Sequence, residues 1–115
     1  MHIEQFRDYC LALNGVTEET PFDPHTLVFK VHGKIFAITS LEGFESINLK
    51  CDPEMAVELR EKFQAVTPGY HMNKKHWNSV NMDGSVSDTL ILEWTKNSYD
   101  LVLKGIPKGK KPTRS

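Results

Sequence analysis

Residues 68–78 read Pro-Gly-Tyr-His-Met-Asn-Lys-Lys-His-Trp-Asn and concentrate side chains that donate hydrogen bonds, carry charge or stack. Contact-making residues gather on loops held by a rigid scaffold, so this irregular stretch is the first place to look for chemistry. Lys74 and Lys75 suit phosphate oxygens. Asn73 and Asn78 carry the amide pattern that matches adenine edges, while Tyr70 and Trp77 suit stacking on unpaired bases. His71 and His76 complete the set as hydrogen-bonding anchors or proton carriers. The competing reading is a plain surface loop, its aromatics pinned to the core and its polar groups satisfying exposed backbone.

A second basic segment lies at the C-terminus, where Lys108, Lys110 and Lys111 follow Lys104 and precede Arg114 with no acid among them. These segments are hidden in a formal net charge of −1. Residues 1–61 hold five basic against eleven acidic groups, and residues 83–103 hold Lys96 against four acids. Screening limits distant acids to about 8–10 Å, so a nearly neutral chain can present a local positive field. The balance excludes bulk attraction to nucleic acid or membrane and leaves only a local, modest contact.

Other chemistries find little support. His25, His32, His71, His76 and Cys51 match no Cys-x2-Cys, His-x3-His or His-Glu-x-x-His spacing, so no metal site is expected. No Gly-x-Ser-x-Gly and no activated cysteine context occurs, and no enzyme is expected. Gly105-Ile106-Pro107-Lys108-Gly109 has no helix after it and is no phosphate loop. No cofactor is implied. Cys10 and Cys51, in apolar contexts, read as reduced thiols of a cytoplasmic protein. No apolar run approaches the ~18 residues of a membrane span, and the start has no secretory apolar region.

The scaffold is legible from periodicity. With 115 residues, of which 39% are hydrophobic, one domain with one core is expected. Ile3, Phe6, Cys10 and Leu13 step as a helix that stops at Asn14-Gly15. Thr20–Pro24 is a loop, and Leu27–Val31 with Lys34–Thr39 form a hairpin around His32-Gly33. Ile47, Leu49 and Cys51 alternate along a half-buried strand. Asp52-Pro53-Glu54 opens a helix whose buried face is Ala56, Leu59 and Phe63. Residues 76–82 alternate again, with Val80 and Met82 opposite Trp77, and Ser87 caps a last helix reaching about Lys104. The expected architecture is α+β, order α-β-β-β-α-β-β-α, with helices on one face of an antiparallel sheet and the other face open. Residues 1–105 form the domain and 106–115 a basic, flexible tail.

In these same residues the chain resembles the MmcQ/YjbR family of small bacterial proteins. The hallmark segment is Pro68 to Trp77, supported by Val28–Val31 with Gly33–Ala37, by Leu49–Glu54, and by Asp83-Gly84 through Ser98–Val102. Departures are small: His32 stands where Gly is common, Lys75 where Arg is frequent, and Ser87 where Pro often opens the last helix. The resemblance implies a helix–three strands–helix–two strands–helix unit similar to secretion chaperones and loosely frataxin-like. It also implies a DNA-binding role. The frataxin-like comparison raises iron, for which Glu18, Glu19 and Asp23 are a thin cluster. Two functions are therefore expected to compete. One is weak, salt-sensitive DNA association through residues 70–78 and the tail; the other is a protein-interaction module that takes a partner peptide on its exposed sheet face. Oligomeric state is left open.

Overall fold

The protein is described by a computed structural model, in which residues 1–69 and 72–106 are placed. Its first helix, α1 (Ile3–Ala12), buries Phe6 and Cys10, as the three- and four-residue steps require. The hairpin follows as β2 (Thr26–Val31) and β3 (Lys34–Ser40), after an additional short strand, β1 (Val16–Glu19). β1 is the element missing from the expected order. Its Val-Thr-Glu-Glu has no apolar alternation, and it forms by antiparallel pairing along β2. The observed order is thus α-β-β-β-β-α-β-β-α, one strand more than expected, within the same α+β class.

His32 and Gly33 both have positive φ, 48° and 84°, the signature of the two-residue turn whose twist matches its flanking strands. β4 (Ser46–Lys50) then pairs with β3. The helix α2 (Pro53–Lys62) opens as its residues dictate, the Asp52 carboxylate accepting from the Met55 N–H with Pro53 in the first turn. β5 (Val66–Pro68) and β6 (Trp77–Asn81) flank the distinctive segment, and α3 (Asp88–Lys104) starts at the Ser87 cap. The six strands form one antiparallel sheet in the order β1-β2-β3-β4-β6-β5.

All three helices lie on one face. Phe6, Phe29, Phe36 and Tyr99 form a chain of ring contacts there, with centroids 5.6, 6.4 and 5.5 Å apart in sequence. Phe63 from the end of α2 meets Trp94 of α3 edge-on at 5.1 Å. A bulge in β3 shapes both faces: Phe29 pairs with Ala37 but Lys30 with Ile35, so Phe36 is the extra residue. Phe36 and Ala37 both turn into the core, and Ile35 joins Ile38 on the open face. Beyond Ala37–Leu49 the β3–β4 ladder opens, and Ser98 of α3 fills the gap. Its hydroxyl donates to the Phe36 carbonyl at 2.6 Å and accepts from the Lys50 N–H at 2.9 Å.

Ile106, one residue past the expected boundary, packs with the domain. Ile106 is buried in the core and its N–H bonds to the Leu103 carbonyl, so it belongs to the domain and not to the tail. Among the described residues no helix is long and apolar enough to cross a membrane.

Candidate functional site

Residues 74–78, at the start of β6, are tied to α2 by an arginine that sequence reading passed over. Arg60, in the last turn of α2, donates from Nε to the Asn78 side-chain oxygen at 2.7 Å. Its Nη2 donates to the Lys74 and Trp77 carbonyls. Asn73 ties the turn from within: its side chain accepts from the Lys75 N–H at 2.9 Å, and its carbonyl accepts from the His76 and Trp77 N–H groups. The His76 carbonyl accepts from the Cys51 N–H at 2.7 Å, joining the turn to the end of β4. Gly69 is buried against Trp77, where an added Cβ would lie 3.1 Å from the Trp77 Cβ.

Of the residues singled out from sequence, Lys74, Lys75 and Asn73 are exposed, and His76 and Trp77 are half-buried. Trp77 pairs across the ladder with Lys50 and so faces away from the helices, as the alternation implies. Asn78 is a correction. It points the other way, only 2% exposed, with its amide spent on Arg60 and on the Ala56 carbonyl at 3.3 Å. A buried amide with both ends bonded secures α2 to β6 and meets no ligand. Tyr70, His71, Lys108, Lys110 and Lys111 lie outside the described residues.

Strand register gathers further lysines near this turn. Lys34 opens β3, Lys50 closes β4 and Lys104 closes α3, all at the end of the sheet where β6 begins. Lys34, Ile35, Lys50, Gly105 and Ile106 border one depression of about 290 Å³, which brings the end of α3 beside Lys34 and Lys50. Asp52 and Glu54 also sit at this end, at the start of α2. The opposite end, built from residues 20–25, 41–45 and 82–88, carries Asp23, Glu42, Glu45, Asp83 and Asp88.

Between the two ends runs the open face. A groove of about 440 Å³ there is lined by Phe22, Ile35, Ile38, Ser46, Asn48 and Met72, among other residues, and among the described residues none that lines it is charged. Phe22 is 68% exposed, unusual for so large a ring. Met72 brings the distinctive segment to the groove, joining two candidates that the sequence kept apart.

The acidic cluster is committed internally. Glu18 pairs with Arg7, Glu19 with Lys30 at 3.0 Å, and Asp23 accepts from the His25 and Thr26 N–H groups. The Arg7 hydrogen bond holds the Glu18 carboxyl below its ordinary value, and the loop N–H groups do the same for Asp23. Burial pushes both cysteine thiols up, away from reactivity. Among the described residues no group of three His, Cys, Asp or Glu side chains is placed to hold a metal ion.

Comparison with known proteins agrees with this architecture. Residues 11–101 match the YjbR family model. The chain is 43% identical over 89 residues to the uncharacterised protein YbdF of Escherichia coli O157:H7, covering 76% of this chain and 73% of that one. It is 32% identical over 112 residues to the uncharacterised protein YjbR of E. coli K12, covering 96% and 95% respectively. The crystal structure of protein DR2400 from Deinococcus radiodurans superposes with a TM-score of 0.88 at 40% identity, covering 94% of this chain and 83% of that one. With the matched residues running from the end of α1 to the last turn of α3, the chain belongs to the YjbR family.

Proposed function

We propose that the protein is a small nucleic-acid-associating module that engages phosphates with the basic end of its sheet. One observation carries this reading: register and helix packing gather Lys34, Lys50, Lys74, Lys75 and Lys104 at one end of the sheet. Acids dominate the far end, so the field is polarised along the strands and orients an approaching polyanion. The mechanism is counterion release, with no catalytic step. The cations are few, so affinity is modest and falls steeply with salt.

Fluorescence anisotropy with labelled DNA at two salt concentrations tests it. Lys34→Glu/Lys50→Glu and Lys74→Glu/Lys75→Glu should each weaken binding about tenfold or more at low salt and flatten the salt dependence. Binding by the wild type that ignores salt, or that survives both double variants, overturns the proposal.

A second reading has its own support. Among the described residues the open-face groove has no charged lining, which suits an extended partner peptide anchored by apolar side chains. In that case capture of the partner survives loss of the tail and of the lysines.

A further inference from the structure

We infer that the nucleic acid is taken as a single strand, its bases lying on the open face of the sheet while its phosphates meet the lysines at the basic end. The inference rests on the nucleic-acid reading and specifies the form that the same site accepts. A duplex hides its bases and offers a convex, charged surface, to which a groove without charged lining among the described residues contributes little. An unpaired strand presents flat apolar rings with polar edges, and the open face matches both features.

Its rings would meet Trp77, Ile35, Ile38 and Met72, which are half-buried on that face or beside it. Its edges would meet Asn48, Ser46 and Ser79. Asn48 pairs with Ile38 on one side and Ser79 on the other, in the middle of the sheet. The Asn48 amide and the Ser46 and Ser79 hydroxyls make no hydrogen bond to any described residue. A half-buried amide with all its capacity unused is placed to read a base edge.

Charge complementarity selects this occupant over a neutral peptide. Lys50 lies directly across the ladder from Trp77, so a phosphate on Lys50 leaves its base beside the indole. Glu42 and Glu45, in the turn after β3, repel phosphates at the far end of the groove and limit the strand's length. The seven residues of β3 span roughly 23 Å. That accommodates about four nucleotides, the low end of what one small sheet domain takes.

The test uses the full chain in low-salt anisotropy with a labelled ten-nucleotide single strand and a duplex of the same length. Asn48→Ala removes the amide, and Asn48→Asp adds a charge that repels phosphate, both at a surface position that leaves the core untouched. The single strand should bind about tenfold more tightly than the duplex. Asn48→Asp should weaken single-strand binding about tenfold and duplex binding less than twofold, with an unchanged melting temperature. Equal affinity for both forms, unaffected by either Asn48 variant, overturns the inference and leaves the phosphate reading standing. No binding of either form by the wild type overturns both. Binding of an alternating apolar decapeptide, lost in Asn48→Asp, without nucleic-acid binding, assigns the face to a peptide and overturns the inference as well.

Discussion

Three side chains carry more of the structure than their types suggest. Ser98 stands where the β3–β4 ladder parts, and its one hydroxyl satisfies a carbonyl and an N–H that would otherwise be buried alone. Ser98→Ala should therefore cost about 2–3 kcal/mol, above the usual price of one surface hydrogen bond, measured by chemical denaturation. Arg60 positions the segment before β6 through two carbonyls and Asn78. Arg60→Met should speed amide exchange across residues 74–78 and weaken nucleic-acid binding severalfold, while Arg60→Lys, lacking the fork, rescues neither. Glu18 gives a pH signature. Its folded pKa is depressed by Arg7, so its contribution is complete above the unfolded value near 4.5 and is lost as pH falls through the folded one. Melting temperature should drop on acidification below that value, and less steeply in Glu18→Gln.

At the scale of elements, caps and periodicities explain most boundaries. Asp52-Pro53 and Ser87 start α2 and α3 because a side-chain oxygen there accepts an N–H that has no partner within the helix. The His32-Gly33 turn needs positive φ at both residues, and Gly33 has no neighbour within 4 Å of an added Cβ. Gly33→Ala should thus cost about 1 kcal/mol from backbone strain alone, seen as a lower melting temperature with an unchanged denaturant slope. Two features escape local pattern. β1 exists only as the partner of β2, and the β3 bulge breaks strict alternation so that Ile35 and Ile38 share the open face. Both depend on pairing partners far along the chain, which no short window contains.

For the whole molecule, a net charge of −1 conceals polarity along the strands, with lysines outnumbering Asp52 and Glu54 at one end of the sheet and acids outnumbering Lys62 at the other. Removing residues 107–115 should reduce nucleic-acid affinity and lower the salt slope by roughly one unit per lost phosphate contact, leaving the melting temperature unchanged. Removing 106–115 should also lower the melting temperature, because Ile106 is buried in the core. The pair of truncations separates charge from packing.

The α+β class, the helix starts, the hairpin turn, the family hallmark and the two basic segments are all legible in the order of the amino acids. Each is written in residues a few positions apart, where capping, periodicity and turn chemistry act. Which lysines share an end, that Asn78 is spent on Arg60, and that Met72 and Asn48 meet at one groove emerge once the chain is folded. Those outcomes follow from strand register and helix packing, which bring together residues as distant as Lys34 and Gly105, and no local propensity encodes that closure.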